Sequence, residues 1–118
     1  MRFEGTENYV ATDDLKMAVS SGAKAVLAPK VESAADIHVL DKALTEAGAP
    51  ADFGLWVMIE MPKAILHIEE IAATAAETRL TTFVMGTNDL AKEYRARMTP
   101  DRIAFQVALQ LSVTAARA

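Results

Sequence analysis

Three short runs of nearly continuous apolar residues, Ala25-Val26-Leu27-Ala28, Gly54-Leu55-Trp56-Val57-Met58-Ile59 and Thr81-Thr82-Phe83-Val84-Met85, are each bounded by turn residues. Such runs predict strands of a parallel sheet buried on both faces, because crossover helices lie against each side. Between the runs the apolar spacing lengthens to that of a helix. Ile37, Leu40 and Leu44 recur at intervals of three and four, behind a capping Ser33 and ahead of Gly48 and Pro50, so a helix is expected there. An earlier helix is expected from about Thr12 to Ser21, closed by Gly22, and Arg2-Phe3 reads as the tail of a strand before it. Further on, Thr99-Pro100-Asp101 offers a cap, a proline at the first helical position and an acid in the first turn, which predicts a helix running to Ala118.

Strand and helix therefore alternate, which predicts an α/β fold of about four parallel βα units with right-handed crossovers. Two architectures accommodate them. One is a small open sheet with helices on both faces; the other is the central half of a TIM (βα)8 barrel, whose full length is about 250 residues. The half barrel is the expectation. The chain starts inside an apparent strand and stops in Thr114-Ala115-Ala116-Arg117-Ala118 without a capping glycine. Its last helix also carries two apolar stripes: Ile103, Val107 and Leu111, expected to cover the sheet, and Phe105, Leu109 and Val113, expected to need a partner. No linker, repeat or charge run divides residues 1–118, which read as a single partial domain.

Composition narrows the function classes. With 118 residues, 52% of them hydrophobic and 24% charged, the chain has the material for a core and is not of the disordered class. A net charge of −4 without a basic cluster argues against a nucleic-acid partner. The absence of cysteine excludes disulfides, thiolate zinc sites and cysteine nucleophiles together. No apolar run approaches the roughly 18 residues of a spanning helix, and Met-Arg-Phe-Glu does not read as a signal peptide. A soluble, cytoplasmic protein without a membrane partner is expected.

In parallel α/β proteins ligands bind beyond the carboxyl ends of the strands. The polar residues there are Arg2 with Glu4, Lys30 with Glu32, then Glu60, then Asn88 with Asp89. Glu60 directly ends an apolar run, where a charge against the core is costly unless neutralised, and a divalent cation is one neutraliser. Asp89 follows 29 positions later, about one βα unit, which predicts it at the neighbouring strand end. Two converging carboxylates completed by water and substrate oxygens are a common magnesium site. The Gly86-Thr87-Asn88 turn opens a short helix whose N–H groups could receive a substrate carboxylate. Each residue also has a plainer role: Glu60 as a first-turn acid, Asp89 as an N-cap, Lys30 and Glu32 as a surface ion pair. His38 reads as a solvated helix residue and His67 as an N-cap or turn residue. Neither GxxxxGK[ST] nor GxGxxG occurs, so those nucleotide-phosphate loops are absent.

These segments resemble one family. Ala28-Pro29-Lys30-Val31-Glu32-Ser33 is similar to the "LPKVE" segment of the HpcH/HpaI aldolase and citrate lyase β-subunit family, Met58-Ile59-Glu60-Met61-Pro62 to its "IET(P/A)" strand end, and Gly86-Thr87-Asn88-Asp89-Leu90 to its "G-x-x-D-L" turn. The resemblance runs over essentially the whole chain, nearest the malyl-CoA and citramalyl-CoA lyase branch. It implies a Mg2+-dependent (or Mn2+-dependent) barrel that cleaves or forms a carbon–carbon bond in malyl-, citramalyl- or citryl-CoA through a metal-stabilised enolate. Coenzyme A would enter as part of the substrate, an acyl-CoA or oxo-acid. Glu60 and Asp89 would hold the metal, and Arg2, matching the family's "RVN" strand end, would contact substrate oxygens. From their strand-end and turn positions, Lys30 and Glu32 are expected to join Arg2 in catalysis, with Gly86, Thr87 and Asn88 at the substrate. Met61 stands where the family has threonine, and Phe3-Glu4 where it has valine-asparagine. Open sheet edges would favour a homo-oligomer. A non-enzymatic open α/β binding module, a catalytically inactive half barrel and a receiver-like domain are the alternatives.

Overall fold

The computed structural model describes residues 12–118. In chain order it contains α1 (Thr12–Ser20), β1 (Ala25–Ala28), α2 (Ala34–Glu46), β2 (Gly54–Ile59), α3 (Pro62–Leu66), α4 (Ile68–Ala73), β3 (Leu80–Met85), α5 (Thr87–Tyr94) and α6 (Gln106–Arg117). Short 3-10 turns follow α4 at Thr74–Ala76 and precede α6 at Ile103–Phe105. The expected strand at Arg2-Phe3 lies outside the described residues.

Local chemistry accounts for the boundaries. Ser33 and Asp36 form a reciprocal capping box: the Asp36 N–H donates to Ser33 Oγ at 3.3 Å and the Ser33 N–H to Asp36 Oδ2 at 3.1 Å. Such a cap contributes about 1 kcal/mol. Gly22 and Gly48 follow α1 and α2 with φ of 83° and 86°, the left-handed backbone in which a glycine closes a helix without steric cost. Pro62 fixes the first position of α3 and holds Met61 extended at φ −119° and ψ 139°, which ends β2 before the helix starts.

The strands are parallel and lie in the order β1-β2-β3, with Leu27 beside Trp56 and Trp56 beside Thr82. Because neighbours in sequence are neighbours in space and the order never reverses, the crossovers put their helices on one side. α1 packs on α2, α2 on α4 and α4 on α6, a single helical layer. Val26 and Ala28 of β1, Leu55, Val57 and Ile59 of β2, and Leu80 of β3 join Ile37, Leu40, Leu44, Ile68 and Ile71 in one buried cluster. Each fully buried Leu, Ile or Val contributes about 1.5 to 3 kcal/mol.

This arrangement corrects one expectation from the apolar runs. Among the described residues the sheet is covered on one face only, and the alternate positions Leu27, Trp56, Met58 and Val84 stay partly open, Trp56 at 43% exposure. One-sided helices over sequential strands form an arc of a βα barrel, whose inner face is apolar because strands fill it from all sides. An open sheet with helices on both faces would need a reversal of strand order.

The last helix differs as well. Thr99-Pro100-Asp101 does not start it: Arg102 adopts a left-handed backbone at φ 53°, the Asp101 carboxylate is taken up by the Thr99 hydroxyl and the Ile103 N–H, and α6 begins only at Gln106. Phe105, Ala108 and Ser112 are buried, while Ile103, Val107 and Leu111, expected to cover the sheet, face out with Val113. Phe105 stacks on Tyr94 at 6.3 Å between ring centroids, which anchors this turn to α5.

At the end where the strands begin, Arg79 ties three segments together. Its Nη1 donates to Asp41 Oδ1 at 2.9 Å and to Thr45 Oγ1 at 2.8 Å, Nε to Pro50 O at 3.0 Å and Nη2 to Ala49 O at 3.1 Å.

Candidate metal and substrate site

Glu60 follows the last residue of β2. Ile59 points into the helical layer, so alternation turns Glu60 to the inner side at the carboxyl end of the sheet. It is not a first-turn acid of α3, since Met61 is the N-cap and Glu60 precedes it. The residue is fully buried, with 0% exposure, and its Oε1 accepts the main-chain N–H of Lys30 at 2.8 Å. Lys30, directly after Pro29, is left-handed at φ 55°. That disfavoured backbone turns its N–H toward the neighbouring strand end. On the other flank the Gly86 N–H donates to Ile59 O at 3.0 Å, continuing the β2–β3 ladder one step past Met85. A Cβ at Gly86 would lie 2.6 Å from Glu60 Cβ and 3.0 Å from Oε2.

Asp89 is the third residue of α5, within the helix rather than its N-cap. The cap is Gly86, whose C=O accepts the Leu90 N–H at 3.0 Å as the first helical bond. Thr87 and Asp89 are partly exposed, Asn88 is exposed, and all three stand in the turn that opens directly beside Glu60. Gly86 therefore abuts Glu60, and Thr87, Asn88 and Asp89 follow it in the first turn of α5. The Lys30 side chain is exposed and the residue reaches Glu60 through its main chain. Glu32 is partly buried; its N–H donates to Asp36 Oδ2 at 2.9 Å and its C=O lies 3.3 Å from His67 Nδ1. That contact joins the β1–α2 loop to the junction between α3 and α4, where His67 sits without capping either helix through its side chain. His38 is a solvated helix residue, 3.4 Å from Glu77 Oε1. Arg2 lies outside the described residues.

The donor set fits a hard divalent cation. Its candidates are carboxylate oxygens, one of them in the deeply buried Glu60, whose Oε2 lies so close to Gly86 that a Cβ there would approach it to 3.0 Å. Among the described residues no group of three or more His, Cys, Asp or Glu side chains could hold a metal. Two carboxylates with the remaining positions left to water and substrate suit magnesium, which dehydrates reluctantly, better than a closed all-protein cage. A groove of about 330 Å3 lies elsewhere, between the edge of β3 at Leu80–Phe83 and the alanines of α4 and α6, and holds no titratable side chain.

Sequence reasoning missed the Arg79–Asp41 tie and the main-chain role of Lys30. The only signal for the former is a charge placed just before β3. Titration is perturbed at two groups away from the rim: burial pushes the Tyr94 phenol up, and the Thr99 hydroxyl holds the Asp101 carboxyl below its ordinary range.

One-sided helices over sequential parallel strands, with a buried glutamate at the carboxyl end of the central strand, define a segment of a βα barrel. The chain belongs to the HpcH/HpaI aldolase/citrate lyase family, whose model matches residues 1–118. It is 42% identical over 118 residues to a (3S)-malyl-CoA thioesterase of Cereibacter sphaeroides, covering all of this chain and 38% of that protein. Among solved structures, RipC from Yersinia pestis superposes with a TM-score of 0.78 at 26% identity, over 98% of this chain and 51% of that one. Protein CitE from Mycobacterium tuberculosis, in complex with magnesium and acetoacetate, superposes at 0.70 with 21% identity, over 99% of this chain and 45% of that one. The chain thus spans about half or less of the proteins it matches. No helix among the described residues is long and apolar enough to cross a membrane.

Proposed function

We propose that residues 1–118 form part of a barrel domain of a Mg2+-dependent carbon–carbon lyase of the citrate lyase β-like type, acting on a 3-hydroxyacyl-CoA such as malyl-, citramalyl- or citryl-CoA. The observation that carries this reading is the fully buried Glu60 at the end of β2, clasped by the main chain of β1's loop and by Gly86. Glu60 and Asp89 hold the cation. When bound, Mg2+ supplies a positive charge to the substrate oxygen on which negative charge develops as the carbon–carbon bond breaks. The protein's part is orientation. The α5 N–H groups after Gly86 receive the substrate carboxylate, and Arg2 adds a planar two-donor fork to the same oxygens. Lys30 and Glu32 form the wall of the site on the β1 side. The Mycobacterium tuberculosis neighbour, solved with magnesium and a small oxo-acid, supports the metal and the substrate class. A homo-oligomer belongs to the same proposal, supported by the exposed Ile103, Val107 and Leu111.

The Cereibacter sphaeroides relative favours a second reading, hydrolysis of malyl-CoA at the thioester. The two differ in products. A lyase converts malyl-CoA to acetyl-CoA and glyoxylate, releasing no free thiol; a thioesterase releases malate and free CoA. Following thiol and glyoxylate together in the full-length protein decides between them. Glyoxylate without thiol, abolished by Glu60→Gln, is expected; thiol without glyoxylate assigns the hydrolase.

A further inference from the structure

The geometry points to Gly86 and the main chain of Lys30 as a pair of positioning residues that hold the Glu60 carboxylate in one orientation for the cation, an inference that rests on the metal reading of Glu60. Gly86 has φ −91°, a value open to residues with side chains, so its backbone conformation does not call for glycine. What calls for glycine is Glu60. A Cβ at position 86 would meet Glu60 Cβ at 2.6 Å, Glu60 Oε2 at 3.0 Å and Met58 Cε at 3.3 Å. The Met58 methyl ends a flexible chain and can swing away. Glu60 Cβ cannot, because the Gly86 N–H is bonded to Ile59 O at 3.0 Å and fixes the two backbones against each other. A side chain at position 86 must therefore turn the glutamate or part the strand ends.

The opposite flank completes the constraint. Lys30 holds a left-handed backbone at φ 55°, disfavoured for any residue with a Cβ, and in that conformation its N–H reaches Glu60 Oε1 at 2.8 Å. One oxygen is thus held from the β1 side and the other is bounded from the β3 side. A buried ligand held this way meets an incoming ion without reorganising, and supporting groups of this kind typically change metal affinity by about 10- to 100-fold when altered.

Titration of the full-length protein with MgCl2 alone, read by calorimetry, tests this together with thermal unfolding. Gly86→Ala is expected to weaken Mg2+ binding about 10- to 100-fold. Lys30→Pro, which removes the N–H that meets Glu60 Oε1, is expected to weaken Mg2+ binding as well. Wild-type affinity in Gly86→Ala, with binding still lost in Glu60→Gln, overturns the positioning role and leaves the metal reading intact. Wild-type affinity in Lys30→Pro overturns the main-chain role. If Glu60→Gln binds as tightly as wild type, the metal reading fails, and a double-mutant cycle in urea judges the constraint by itself. Gly86→Ala should then destabilise the Glu60 protein and be nearly neutral, or restore folding, in a Glu60→Gly background. Equal effects in both backgrounds overturn it.

Discussion

At the end where the strands begin, Asp41 accepts the main-chain N–H of Arg79 at 2.9 Å; at the end where they finish, Glu60 accepts that of Lys30 at 2.8 Å. The two carboxylates share a device and differ in their surroundings. Asp41 is partly exposed and faces the guanidinium of the same Arg79, whose other donors are spent on Thr45 and two loop carbonyls. Together these bonds stitch α2 and the loop after it to the start of β3. Glu60 is fully buried and bounded by a glycine, in a turn that leads to a second carboxylate at Asp89. A planar, always charged partner makes an ion pair a structural tie. A buried carboxylate oriented by main chain at the carboxyl end of the strands suits a ligand bound at that end.

The largest effect that separates the two ends is on metal affinity. Glu60→Gln keeps an oxygen for the Lys30 N–H and removes the charge, so Mg2+ binding should weaken by at least about 100-fold while the unfolding midpoint moves by only a few degrees. Calorimetry and a thermal melt on the same sample check both halves. Arg79→Ala should do the reverse. It strips four acceptors, Asp41, Thr45, Ala49 and Pro50, of their side-chain donor and leaves Asp41 partly buried, at a cost of about 2 to 4 kcal/mol in urea unfolding with Mg2+ affinity unchanged. If Glu60→Gln destabilised the protein as much as Arg79→Ala, both ends would be structural and the comparison would collapse. A smaller step is Asp41→Asn, which keeps an acceptor for the Arg79 N–H and loses only the charge. About 1 kcal/mol is expected, again with no change in metal binding.

The rim was easier to read from the sequence than the tie. A charge placed directly after an apolar run is visible, and Glu60 and Asp89 sit one βα unit apart because β2 and β3 are adjacent and parallel. The helix caps at Ser33, Gly22 and Gly48 were equally legible, since each is a local matter of a few residues. Asp41 and Arg79 are 38 positions apart, and nothing local links a helix acid to an arginine before a strand. The inward face of α6 was illegible for a different reason. Two apolar stripes competed, and the choice fell to the packing of α6 on α4, which periodicity does not record. Lys30 was legible as a strand-end residue, but a side-chain reading could not show that its N–H meets Glu60.

A third carboxylate sharpens the comparison because it is neither buried nor tied to another segment of the sheet. Asp101 is fully exposed in the turn before α6, and the Thr99 hydroxyl, followed by the Ile103 N–H, lowers its pKa. A carboxyl whose folded pKa is depressed adds stability above its unfolded value, near pH 4, and loses it as the pH falls through the lower folded value. Thr99→Val removes the hydroxyl and keeps the branched side chain. The stability difference between wild type and Thr99→Val should be constant from pH 7 to about pH 5 and shrink toward zero below about pH 3, the smallest of these effects because solvent screens an exposed pair. A difference that persisted at the acidic limit would trace the effect to the packing of the valine. Mg2+ affinity should be untouched throughout, since this carboxylate is already occupied within its own turn, whereas Glu60 is held by its neighbours at the edge of an open rim.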